Sequence, residues 1–239
     1  MKNILITGAT SGIGKELAIQ FAAQGNKVGL MGRRTEKLQE LKAQIGKNAF
    51  IRTLDVTELE TAKDVYEDLA EEMGGIDIFI LNAGVGIAKT IAPWRADKNT
   101  IEVNVMAFAH GCHFAFEYFR KQGHGQIVGM SSVASHLATH RAAAYTASKH
   151  FISNYMTGFR QKAKRVDADI TVTDIRPGFV KSEMTARNRG MFWVADTDKA
   201  VLQMVKAIGK KRNRVYITKR WRLVAMLANL TPQFVWDRL

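Results

Sequence analysis

The 239-residue chain has a single cysteine, Cys112, only three prolines, and no uninterrupted run of about 18 or more apolar residues. One cysteine cannot close an internal disulfide, which excludes the small disulfide-stapled scaffolds. Without a long apolar run a bilayer-spanning helix is not expected. Few prolines beside 46% hydrophobic and 24% charged residues exclude a collagen-like or disordered chain. Met1-Lys2 leads straight into an apolar strand and a glycine turn with no signal-peptide cleavage site, so the expected location is cytoplasmic. Acidic residues are also in short supply, 22 against 35 Lys and Arg, for a net charge of +13. That excess favours anionic partners such as phosphorylated cofactors, acyl carriers, lipid headgroups or nucleic acid, and it is also what a merely solvated basic surface would show. Nucleic acid is set aside, because no recognition motif or aromatic-basic interleaving accompanies the charge.

What is present is an alternation. Short apolar runs at Asn3–Thr7, Lys27–Met31, Ala49–Leu54, Ile76–Leu81, Gln126–Met130, Ile170–Ile175 and Arg214–Ile217 read as strands. Between them Lys15–Gln24, Glu36–Ile45, Glu58–Met73, Asp97–Lys121, Ala143–Lys164 and Asp198–Gly209 repeat apolar residues every three or four positions and read as helices. Crossovers of that kind make the sheet parallel and put helices on both faces. The predicted fold is α/β, a single-domain doubly wound (Rossmann) arrangement with a seven-stranded parallel sheet, in which function gathers at the carboxyl ends of the strands.

The first predicted strand ends in Thr7-Gly8-Ala9-Thr10-Ser11-Gly12-Ile13-Gly14, and helical period begins at Lys15. Glycines let the backbone turn and approach a pyrophosphate, whose charge the following helix N-terminus stabilises. The spacing departs from the general G-x-G-x-x-G dinucleotide fingerprint. The second strand ends in Met31-Gly32-Arg33-Arg34. A carboxylate at that position accepts hydrogen bonds from ribose hydroxyls and repels a 2′-phosphate, whereas a guanidinium binds the phosphate, so Arg33 and Arg34 point to NADP(H).

Tyr145 and Lys149, four positions apart in a helical segment, share one face. A phenol titrates near 10 and bringing it to neutrality takes about 4 kcal/mol, which a neighbouring ammonium can supply in part. Ser131-Ser132 closes the apolar run Ile127–Met130, putting hydroxyls at the ligand-binding edge of the sheet, and Asn104 is a poor helix former inside a long helical segment.

The Thr7–Gly14 loop, Asp55-Val56, Asn82-Ala83-Gly84, Asn104, Ser132, Tyr145-x-x-x-Lys149 and Pro177-Gly178 together resemble the short-chain dehydrogenase/reductase family from Thr7 to Gly178. The resemblance implies hydride transfer between NADP(H) and a small-molecule carbonyl or alcohol. In it Ser132 orients the carbonyl oxygen, Tyr145 transfers the proton, Lys149 lowers the tyrosine pKa and binds the ribose, and Asn104 holds a proton-relay water. It further implies that Gly8, Thr10, Ser11, Gly12, Ile13 and Gly14 hold the pyrophosphate and that Asp55 and Val56 flank the adenine. Asn82, Ala83 and Gly84 would support the central strands and the cofactor, and Pro177, Gly178 and Val180 would shape the nicotinamide end. Asp55 has a second reading, as an N-cap for the helix near Glu58. A non-catalytic NADP(H)-binding sensor or scaffold is the alternative function, against which the intact Asn104, Ser132, Tyr145 and Lys149 set argues.

The family also implies a homodimer or homotetramer and a substrate lid over Lys181–Ala195. There Met184, Met191, Phe192 and Trp193 suit either an apolar substrate or ordinary packing. The tail Lys219–Leu239 joins Arg220, Arg222 and Arg238 to Trp221, Leu223, Val224, Met226, Leu227, Leu230, Phe234, Val235 and Trp236. It suits docking on the lid or a neighbouring subunit, or peripheral contact with an anionic membrane.

Overall fold

Aliphatic and β-branched runs bounded by glycines set the sheet. In the computed structural model, which describes residues 1–86, 89–186, 190–236 and 238, they form β1 (Asn3–Thr7), β2 (Lys27–Gly32), β3 (Ala49–Thr53), β4 (Ile78–Leu81), β5 (His124–Met130), β6 (Asp169–Pro177) and β7 (Arg214–Ile217). Every pairing is parallel. The order β3-β2-β1-β4-β5-β6-β7 reverses direction between β1 and β4 and opens a crevice beyond the carboxyl ends. The helices are α1 (Gly12–Ala23), α2 (Thr35–Ile45), α3 (Leu59–Met73), α4 (Trp94–Ile101), α5 (Phe108–Gln122), α6 (Ala143–Ala163), α7 (Thr197–Gly209), α8 (Trp221–Leu230) and α9 (Gln233–Trp236).

Alternation along each strand builds two cores. Ile4, Ile6, Leu30 and Val128 face Leu17 and Phe21 of α1, Leu38 of α2 and Met204 of α7. Leu5, Phe79, Ile127 and Val172 point the other way, against Tyr66 of α3, Phe116 and Phe119 of α5, and Ile152 and Met156 of α6. Each large side chain removed from water in this way contributes about 2 kcal/mol. The sheet is therefore fixed from both sides, and its carboxyl edge becomes a rigid mount for the residues that end each strand.

One predicted element is corrected. The single helix expected over Asp97–Lys121 is two helices, α4 and α5, joined by a π-helical turn at Glu102–Ala107. Asn104 sits in that turn, wholly buried, with its amide bonded to both backbone groups of Val85. The wider turn takes in an extra residue without breaking the apolar repeat, so periodicity alone reads straight through it.

Candidate active site

A cleft of about 440 Å³ lies along the carboxyl edge, and every residue that the sequence nominated for cofactor or chemistry lines it except Asn104, which stands behind the wall. The strand order gives the cleft its direction. Arg33 and Arg34 follow β2 on one side of β1, whereas Ser132 follows β5 on the other.

The middle of the cleft is the phosphate loop. Ser11 is the N-cap of α1, yet its side chain makes no capping bond, and the first-turn amides of the helix have no intrahelical acceptors. Asn82 clamps the loop from β4: its Nδ2 donates to the carbonyls of Thr7 (3.0 Å) and Gly8 (3.1 Å). The backbone amides of Asn82 and Ala83 both donate to Thr7 Oγ1 at 3.0 Å. A Cβ on Gly14 would lie 2.3 Å from the Gly8 carbonyl and 2.5 Å from that same Nδ2, so a side chain there would unseat the loop. Bare glycines, an uncapped helix start and a fixed backbone fit a dinucleotide pyrophosphate.

At the β2 end of the cleft Arg34 donates to Thr10 Oγ1 (2.8 and 3.2 Å) and Ser11 Oγ (2.8 Å) and pairs with Glu183 at 2.8 Å. Lys37 holds the other oxygen of Glu183, also at 2.8 Å. These two cations keep the Glu183 carboxyl down at about 2. Arg33 is more exposed and pairs loosely with Asp55 at 3.5 Å. Asp55 does not cap α3, whose N-cap is Glu58. Its carboxylate instead closes a turn by accepting from the Thr57 amide (3.1 Å) and hydroxyl (2.8 Å). Burial pushes its pKa up, but those bonds and Arg33 outweigh burial and hold it below the usual range.

At the opposite end α6 begins at Ala143 and places Tyr145 and Lys149 on successive turns of one face, the ammonium 5.6 Å from the phenol ring centre. Ser132 Oγ donates to the Pro177 carbonyl at 3.2 Å and accepts the Ala134 amide at 3.1 Å. Lys149 Nζ donates to the Met130 carbonyl at 2.9 Å. Burial lowers the lysine to about 8, with the Asp174 carboxylate pulling the other way. Burial likewise raises the phenol above its ordinary value, against a hydrogen bond from Ser132 that favours the ionised form. Asn104 Nδ2 also donates to Ser148 Oγ (3.0 Å), which donates to the Tyr145 carbonyl (2.7 Å), so the asparagine braces the turn of α6 carrying the phenol. A point 3.4 Å from both Asn104 Oδ1 and Lys149 Nζ lies where a Cβ of Gly84 would stand.

Several contributors were not visible in the sequence reading. Gly86 lies so close to Tyr145 that a Cβ would meet ring atom Cδ2 at 2.4 Å, so only glycine leaves the phenol its place. Gly178 was expected at the site, but the reason it is bare was not: Trp221 Nε1 would stand 2.0 Å from its Cβ. Asp174 and Arg176, alternate residues of a strand buried on both sides, pair at 2.7 Å with 0% and 2% exposure. Asp174 also accepts from Ser131 Oγ, while Arg176 donates to Ser153 Oγ, Tyr216 Oη (3.0 Å) and His136 Nε2 (2.6 Å). A guanidinium only donates, so His136 Nε2 accepts and Nδ1 carries the proton toward Asn229 Oδ1 at 2.9 Å. Two charges within an apolar strand were the available signal for this network. Glu183 had none, since only the fold brings it to Arg34.

The segment Lys181–Ala195 is closed at its base by an Ala195 amide bond to Phe179 and a Lys181 amide bond to Ala195. Met184 lines the cleft, whereas Phe192 packs tilted against Trp221 at 5.0 Å and Trp193 meets the same ring edge-to-face at 5.7 Å. Arg187, Asn188 and Arg189 of the expected lid, and Asp237 and Leu239 of the expected tail, lie outside the described residues.

A family model described as short chain dehydrogenase matches residues 2–191. An uncharacterized oxidoreductase of Mycobacterium tuberculosis is 35% identical over 224 residues, 90% of this chain and 88% of the relative. A dehydrogenase/reductase SDR family protein 7-like protein of Dictyostelium discoideum is 29% identical over 81% of this chain and 67% of its own length. Among solved structures, the closed form of a serine dehydrogenase complexed with NADP+ superposes with a TM-score of 0.81 at 25% identity, covering 90% of this chain and 93% of that one. A short chain dehydrogenase/reductase from Burkholderia phymatum in complex with NAD shares the fold, with a TM-score of 0.87 at 20% identity over 95% of this chain and 92% of that one.

Proposed function

The chain belongs to the short-chain dehydrogenase family, and on that premise we propose that it interconverts a small carbonyl compound and its alcohol with NADP(H) as hydride partner. The observation that carries the reading is the convergence of Ser132, Tyr145 and Lys149 on one end of a cleft whose middle is a glycine cradle and whose other end holds two arginines. When bound, the nicotinamide supplies or takes the hydride and, in its oxidised form, adds a positive charge beside the phenol.

The chain's own residues do the rest. Ser132 holds the carbonyl oxygen, and Tyr145 gives its hydroxyl proton to that oxygen during reduction or removes it during oxidation. Burial of both ionisable groups leaves a neutral phenol as the resting acid. Lys149 keeps its ammonium against the Met130 carbonyl, within reach of a ribose, and the gap beside Gly84 between Lys149 and Asn104 suits a relay water for the proton. Arg34 and Arg33 support the preference for a 2′-phosphate, and Met184 and Val85 on the cleft wall support an apolar substrate.

The test is a panel of ketones, aldehydes and alcohols with NADPH and with NADH, read by the absorbance of the reduced nicotinamide. Turnover with NADPH preference is expected. Tyr145→Phe should lose about a thousandfold in turnover while still binding NADPH. Undiminished turnover in that variant would remove Tyr145 from the mechanism, and a preference for NADH would remove only the arginine argument.

A further inference from the structure

Helix α8 wears its leucines and its methionine on the outside. Its inward face is Trp221, Ala225 and Ala228, each 8% exposed or less, whereas Leu223, Met226, Leu227 and Leu230 are 55–73% exposed. Phe234 of α9 continues the row at 61% exposure. Positions 223, 226, 227 and 230 lie on one face of α8, the reverse of an ordinary surface helix, which turns its bulky residues to the core, and Phe234 follows on α9 beyond the extended Thr231-Pro232 link. Isolated exposed leucines need no explanation, but four bulky residues on one helix face do.

The charge around the stripe is one-sided. From Lys199 to Leu239 the chain has ten Lys and Arg and a single acid, Asp237. Lys219, Arg220 and Arg222 lie exposed at the start of α8, and Arg238 is exposed beyond its end. Arg220 is partly committed, stacking over Trp193 at 5.1 Å and donating to its carbonyl. Lys219 and Arg222 remain beside the apolar row.

We propose that this face docks on an anionic phospholipid surface, with the α8–α9 stripe entering the interface and the flanking cations meeting the headgroups. A second copy of the chain is the poorer occupant. A two-fold contact through the same face would set Lys219 and Arg222 of each copy among like charges, in a tail whose four cations face one acid, Asp237. Because Trp221, at the start of the helix, packs on Phe179, Phe192 and Trp193, docking would also bring the segment beside the cleft to the lipid surface. The docking is independent of the catalytic reading and would stand if that reading fell.

The experiment is co-sedimentation of the full chain with vesicles of phosphatidylcholine alone and of phosphatidylcholine mixed with phosphatidylglycerol, with the solution mass measured in parallel. Binding about tenfold tighter to the mixed vesicles, and weakened by salt, is expected. The double variant Leu227→Gln, Leu230→Gln should lose it while keeping its dinucleotide affinity, which reports that the fold survives. Equal binding to both vesicles, or none to either, overturns the proposal. So does a wild-type dimer that the double variant dissolves without any vesicle binding, which would give the face to a second copy.

Discussion

Lys149 and the pair Arg33 and Arg34 sit at opposite ends of one cleft and are held in opposite ways. Lys149 is buried, bonded to a backbone carbonyl, and its pKa is depressed to about 8. Arg33 and Arg34 lie toward solvent, each against a carboxylate, Asp55 or Glu183. The buried cation gains chemical leverage, because low dielectric makes its charge matter to any group brought near it. The exposed cations are already neutralised, so an arriving anion has to displace or join a carboxylate.

The hardest test of this contrast removes the buried charge. Lys149→Met should cost about a thousandfold in turnover. Stability should not follow activity. Burial sets the folded-state value, about 8, below the ordinary 10.5, so the folded protein releases its proton first as the pH rises. The stability difference between wild type and Lys149→Met should therefore climb between about 8 and 10.5 when thermal midpoints are compared across the range, because the buried Cys112 and Tyr66, which oppose that climb, contribute equally to both proteins. A wild-type midpoint that falls steadily through this window, with the variant falling alongside, would show that the ammonium is better solvated than its burial implies.

At the exposed end the expected effects are smaller. Arg34→Ala loses charge-assisted bonds worth about 2 kcal/mol and should weaken NADPH binding about thirtyfold while leaving NADH nearly unchanged. Calorimetry with the two dinucleotides checks it, and an equal loss for both would show that Arg34 acts through the loop residues Thr10 and Ser11 rather than through a 2′-phosphate.

The same contrast explains what could be read in the sequence. The strands and the Gly8–Gly14 turn are local features, because alternation and glycine spacing record backbone geometry directly, and Tyr145 and Lys149 could be paired because one helix turn joins them. The π-helical turn at Asn104 was hidden by an uninterrupted apolar repeat. Burial, a property of the whole fold, pushes the Tyr145 phenol up, and spacing between residues does not reveal it. Gly86, Glu183 and the Asp174–Arg176 pair depend on contacts between segments far apart in the chain, which no local pattern encodes.

Glu183 gives the finest test. Its carboxylate is held by Arg34 and Lys37 at 2.8 Å each and stays ionised down to about pH 2, so across the working range it competes with any anion for Arg34. The ion pairs are exposed, and pairs of that kind contribute at most about 1 kcal/mol. Glu183→Gln keeps the shape and removes the charge, so NADPH should bind about threefold more tightly, NADH should not change, and the gain should shrink as salt screens the arginine. An unchanged NADPH affinity together with an intact Arg34→Ala effect would mean that the carboxylate swings aside without cost. In that case the β2 end of the cleft would be a bare cationic site, and the contrast with Lys149 would rest on burial alone.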